Sequence, residues 1–257
     1  MMTDTPINSL ALFVATLILL VVAAYGGKLI FKRRLERAEV EDEEAKLVLG
    51  ALLSFLGLLL GFVLTIAIGG YTDRLATEEN EVIAIGSALQ RTQLLVEPER
   101  KQAQQLLGHY LEARIAFFST GLGEEHEQWW EKSVRLQDEL WRLAAQQAQI
   151  APNSINASVL TAYNELFQTL QRTQANWRHH IPPIAWAMVL AFAFFANGLI
   201  GYNIRGVKGE NWLLIILPLL ITVAFYVIAE IDLPGQGVIH VEPKGLQILQ
   251  AFHATGG

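Results

Sequence analysis

Four long apolar runs organise the chain, at about residues 7–31, 47–70, 182–204 and 212–231. Each approaches or exceeds the roughly 20 residues that a helix needs to cross a bilayer. The second run carries the most information. It reads LVLGALLSFLGLLLGFVLTIAIGG, 24 residues without a charge. As a helix it is about 36 Å long at about 1.5 Å per residue. No turn signal ends it. Tyr71-Thr72-Asp73-Arg74 follows, then Glu78-Glu79-Asn80-Glu81, then VIAIGSALQR to Arg91. The pattern predicts a membrane helix that runs straight into a water-side helix. Along it, Gly50, Ser54, Gly57, Gly61 and Thr65 recur every three or four residues and so share one helical face.

Between residues 71 and 181 the apolar positions keep helical spacing. Four amphipathic segments are expected. The first runs through Val82, Ile85 and Leu89, and the second covers 98–118 after the break at Glu97-Pro98. The third covers 124–150, after the C-cap-like Thr120-Gly121-Leu122-Gly123. The fourth covers 155–177, after Ala151-Pro152-Asn153-Ser154, which supplies an N-cap. No stretch among them alternates with period two. The expected fold is therefore all-α, with four transmembrane helices and an extramembrane helical bundle between the second and third. The divisions fall at 1–70, 71–181, 182–231 and 232–257. In the last, VIHVEPKGLQILQAF reads as a short strand followed by a short helix. Pro218 is expected to kink the fourth membrane run.

Composition supports a membrane protein: 52% of residues are hydrophobic and the mean hydropathy is +0.32. The net charge of -6 and the absence of a basic face argue against nucleic acid. With no cysteine, disulfides, thiol catalysis and cysteine metal sites are excluded. No Lys or Arg precedes the first apolar run, so a retained anchor is expected there and not a cleaved leader. Lys28, Lys32, Arg33, Arg34, Arg37, Lys46, Arg205 and Lys208 flank the runs on one side, against Arg74, Arg178 and Lys244 on the other. That asymmetry of eight against three places both short loops in the cytoplasm of an inner (plasma) membrane protein. Both termini and the helical domain then lie outside.

Two readings fit the small-residue stripe. Small residues let helix backbones approach, and Gly57-x-x-x-Gly61 is a packing motif. Alternatively, symmetry copies of this helix line a pore, with Ser54 and Thr65 offering hydroxyls and Phe62 forming an apolar gate. Asn197, inside the third run, is expected to make an interhelical hydrogen bond. Glu230 and Asp232 read either as a solvated helix end or as acids facing Arg74 or Arg178. The Trp residues 129, 130 and 141 read as bundle core. The six scattered histidines show no metal-site spacing, so no metal is expected. No phosphate loop, nucleophile elbow or triad signature appears. Neither an enzyme nor a cofactor is expected.

The stretch Leu56-Gly57-Leu58-Leu59-Leu60-Gly61-Phe62, followed by Tyr71, Arg74, Glu81 and Ala84-Ile85-Gly86, resembles the bestrophin-like domain family. Asp232, Pro234, Gly237, Ile239 and Val241 resemble its C-terminal signature. Where that family commonly has Asn before Ala-Ile-Gly, this chain has Ile83. The resemblance implies kinship with bestrophins, which are pentameric anion channels whose second membrane helix lines the pore. It also implies a cytoplasmic helical domain, against the charge count. The functional expectation is a homo-oligomer in the lipid bilayer, partnered by copies of itself and by small anions. A membrane-anchored helical sensor or scaffold without transport is the alternative.

Overall fold

The computed structural model describes residues 9–35, 43–121, 123–203, 212–233 and 239–254. Within them lie eight helices. They are α1 (Ser9–Leu35), α2 (Glu43–Thr92), α3 (Glu99–Ser119), α4 (Glu124–Ile150), α5 (Ser154–Trp177), α6 (Pro183–Asn203), α7 (Leu213–Asp232) and α8 (Lys244–Ala254). Four are long and apolar enough to cross a membrane: α1, α2, α6 and α7. The long α2 is unbroken for 50 residues. The chain divides into two compact units, one from 7–69 and 180–232, the other from 70–179 and 233–257.

In the first unit, α1 and α6 touch backbone to backbone. A Cβ on Gly201 would lie 1.8 Å from the Ala24 carbonyl oxygen, and one on Gly27 would lie 1.8 Å from that of Gly198. Only glycine allows so close an approach. Leu56, Leu59 and Val63 of α2 pack with Leu20, Val189, Ala193, Ile221 and Phe225. Outward-facing Ile18, Val22, Phe195 and Leu220 are large, apolar and exposed. Such surfaces suit lipid, where water would penalise them.

Asn197 departs from expectation. Its side-chain nitrogen donates to the Ala193 carbonyl of its own helix at 2.7 Å, and the amide oxygen is buried without a partner. A short polar side chain inside a helix can take the carbonyl one turn back in place of a partner on another helix.

The second unit is a helical bundle. Ile85 of α2, Leu107 and Leu111 of α3, Leu140 of α4, and Val159 and Leu166 of α5 form its centre. Asn153 caps α5 by accepting the Asn156 N–H at 2.9 Å. Trp129 and Trp130 are half-buried against this core, whereas Trp141 is exposed and meets Phe167 at the surface. The strand expected near 239–241 is absent among the described residues. No neighbouring strand offers it a ladder, so the segment attaches by burying Val241 before α8 begins.

The α1–α6 contact yields a direct test. Gly201→Leu should lower the melting temperature of the detergent-solubilised protein markedly, by about 2 kcal/mol or more of stability, because backbone cannot move aside as a side chain can. Gly26→Leu, at a position with open space, should leave it nearly unchanged.

Candidate functional site

The membrane half of α2 has two faces of opposite fate. Leu56, Leu59, Val63 and Ala67 are buried by α2's neighbours. The opposite face carries Gly50, Ser54, Gly57, Gly61, Phe62 and Thr65, all exposed. A Cβ added at Gly50, Gly57 or Gly61 would meet nothing within 4 Å. Among the described residues, none packs against the glycines of this stripe. Phe62 stands on this surface at 58% exposure. The hydroxyls are already committed: Ser54 Oγ donates to Gly50 O and Thr65 Oγ1 donates to Gly61 O, each at 2.9 Å. A hydroxyl has one proton, so neither side chain is poised to give it to an anion. Both hydroxyl protons run along the helix to its own carbonyls. Apolar atoms and open helix backbone dominate instead.

The continuation of α2 is anchored by charge. Glu81 is fully buried and forms a two-pronged pair with Arg114 of α3, from Nε at 2.6 Å and Nη2 at 2.8 Å. Thr173 of α5 donates to the same carboxylate. The Arg114 guanidinium lies 4.1 Å from the centre of the Phe117 ring. His126 of α4 stacks on Phe117 and Trp177, at 4.0 and 4.8 Å between ring centres. Burial pushes its pKa down to about 4, and the Arg114 charge acts in the same direction. Burial likewise pushes the Tyr110 phenol up, while its oxygen accepts from Gln137 Nε2 at 2.9 Å.

The other described family-motif positions are packed within the two units. Tyr71 is half-buried against the bundle core. Arg74 is buried, and its carbonyl accepts the Thr77 hydroxyl at 2.7 Å. Gly86 faces Leu249 of α8. Asp232 does not form a solvated helix end. It is buried and accepts the Ile181 N–H at 3.0 and 3.3 Å, with His180 Nδ1 3.3 Å from its carbonyl oxygen. Glu230 is buried as well. Pro234, Gly237, Arg37, Arg205 and Lys208 lie outside the described residues. Among the described residues, no three His, Asp or Glu side chains gather as a metal site.

Sequence reasoning missed Arg114, Thr173 and the contact glycines Gly27 and Gly201. Arg114 had a usable signal. In YLEARIAFF it occupies the same helical face as Tyr110, Leu111, Phe117 and Phe118, where a lone charge demands a buried partner.

Four apolar spans and a helical bundle built on the second of them define an all-helical integral membrane protein. The chain belongs to the Bestrophin-like domain family, whose model matches residues 10–246. Its fold is similar to crystal structures of a bacterial bestrophin homologue from Klebsiella pneumoniae. One has a TM-score of 0.67 at 11% identity, covering 95% of this chain and 98% of that one. Another has a TM-score of 0.67 at 12% identity, covering 95% and 99%. A crystal structure described as a membrane protein gives 0.68 at 10% identity, covering 98% and 100%. No curated protein matches the chain.

Two measurements probe the anchor. Glu81→Gln or Arg114→Met alone should each cost about 3–5 kcal/mol, because either leaves the other partner uncompensated; the double replacement Glu81→Leu with Arg114→Met should recover much of the loss. Denaturation in detergent checks this. His126 sets a pH dependence. Its folded pKa is depressed, so the unfolded chain binds the extra proton between about pH 6.5 and about pH 4. Stability is fully present above that window and is lost as pH falls through it. Relative to wild type, His126→Phe should therefore gain in melting temperature between pH 7 and pH 4.5; a constant difference would contradict the assignment.

Proposed function

We propose that this protein is a homo-oligomeric, channel-like membrane protein in which copies of α2 surround a conduction path for small anions. The observation that carries this reading is the exposed face of Gly50, Ser54, Gly57, Gly61, Phe62 and Thr65, which the described residues leave uncovered. A face built for lipid alone would gain from large apolar side chains; a face built for close approach of copies, or for a narrow lumen, gains from their absence. The resemblance to bestrophins, which are pentameric anion channels lined by the second membrane helix, supports this placement. Because Ser54 and Thr65 keep their protons on the helix, selectivity by hydroxyl donation drops out. The lumen is instead an apolar constriction that Phe62 closes by dewetting.

Conductance of purified protein in planar bilayers tests the proposal. Single-channel currents with chloride preferred over sodium are expected, with closed times shortened by Phe62→Ala. Gly57→Leu should split or weaken the oligomer in mild detergent. Silent bilayers containing inserted protein would favour the sensor or scaffold reading.

From the charge asymmetry of the short loops we further infer that the helical unit and both termini lie outside the cell. The chain's lack of cysteine makes this simple to read. An impermeant maleimide should label Gln128→Cys in intact cells and not a cysteine at position 40. The opposite labelling pattern would place the helical unit in the cytoplasm and leave the channel reading intact.

A further inference from the structure

The C-terminal helix α8 is attached through one acidic side chain that the channel reading does not use. Glu78 lies one turn before Glu81 on α2 and is 4% exposed. Its Oε1 accepts the backbone N–H of Leu246 at 3.0 Å. This N–H belongs to the first turn of α8, where the helix has no internal acceptor for it. Gly245 is fitted tightly beside it: a Cβ there would lie 2.8 Å from Val82 Cγ2 and 3.0 and 3.1 Å from the two carboxylate oxygens. Leu246 is fully buried and Leu249 faces Gly86, whereas Ile248 on the outer face is 71% exposed. An 11-residue helix does not persist alone in water, so α8 exists by virtue of this docking.

The charges around Glu78 are lopsided. On α2, Glu79 and Glu81 lie within a turn of it, and the buried Arg74 lies one turn before it. On α3, Arg114 is committed to Glu81. At the start of α8, Lys244 pairs with Glu242 at 2.8 Å, with His240 and Tyr71 nearby. The buried side chains of α5 include no carboxylate, histidine or cation; their one titratable group is Tyr163, whose phenol burial pushes up. No described cation is paired with Glu78 itself.

We propose that Glu78 is a proton-dependent latch for the C-terminal helix: with its carboxyl neutral α8 is docked on α2, and with it charged α8 loosens. A neutral carboxyl still accepts the Leu246 N–H through its carbonyl oxygen, at far lower desolvation cost than the anion. Burial raises the Glu78 pKa, the Leu246 and Gly245 N–H groups pull it back, and the charges of Glu79 and Glu81 raise it further. A carboxyl whose pKa is raised by docking contributes its stabilisation at low pH and loses it as pH climbs through that pKa. Docking is therefore retained at low pH and weakened as pH rises, the reverse of the His126 dependence.

Spin labelling tests this on the full chain in detergent, since the chain has no cysteine of its own. A nitroxide on Ile248→Cys reports α8, and one on Gln128→Cys reports the rest of the bundle. In otherwise wild-type protein, the mobile fraction at 248 should rise at least threefold between pH 5 and pH 9, with the label at 128 unchanged. Glu78→Gln imitates the neutral carboxyl and should hold the label at 248 immobile at both pH values. Gly245→Leu, which removes the fit without touching the carboxyl, should leave it mobile at both. The same pH rise in Glu78→Gln, no rise in wild type, or equal changes at 128 would each overturn the latch.

Discussion

Burying a guanidinium and a carboxylate together is the constraint on which the helical unit rests. Each ion costs several kcal/mol to remove from water, and only near-complete satisfaction of both offsets that. Glu81 and Arg114 achieve it with two short hydrogen bonds, a third from Thr173, and an aromatic ring under the guanidinium. Arg114 Nη1 also lies 3.5 Å from Ser133 Oγ. The four residues come from α2, α3, α5 and α4 in turn. Sliding any one helix along its axis would break a bond in a place water cannot reach. The pair thus adds register more than raw stability, since apolar packing alone tolerates small shifts.

Glycine plays two opposite parts in the membrane unit. At Gly27 and Gly201 it removes the Cβ because a carbonyl of the partner helix already occupies that space. At Gly50, Gly57 and Gly61 the space is empty. Spacing along the chain does not separate these cases, because both are small residues on a helical face. Only knowing which helices meet separates them. The same ambiguity explains why the stripe on α2 drew notice while Gly27 and Gly201 did not.

The architecture was largely legible. Unbroken apolar runs mark spans because lipid admits no unsatisfied backbone, and periodic apolar positions mark the bundle helices. The unbroken passage of α2 to Thr92 followed from the lack of any stop signal after Gly70. Partnerships over long sequence distances were not legible. Glu81 pairs 33 residues away and Glu78 meets a backbone N–H 168 residues away. Charged residues near the water-side end of a span look solvated until the structure buries them, as it does Glu78, Asp232 and Glu230. The tail misled for a related reason. VIHV has strand-like composition, but a strand needs a neighbour and this segment finds a helical surface.

The carboxylates of α2 divide their labour by where burial puts them. Glu81 has a cation within bonding distance, so its charge is held in place and links helices permanently. Glu78 has a backbone N–H, which stabilises an anion far less than a guanidinium does. One turn of the same helix therefore holds a fixed joint and a releasable one, set apart by the formal charge of the partner. The fixed joint orders the bundle against which α8 docks, so the releasable joint can open without the bundle opening. Reversing the two partners would invert this: an unpaired acid at the centre would unsettle every helix, and a paired one at the edge would clamp the tail irrespective of pH.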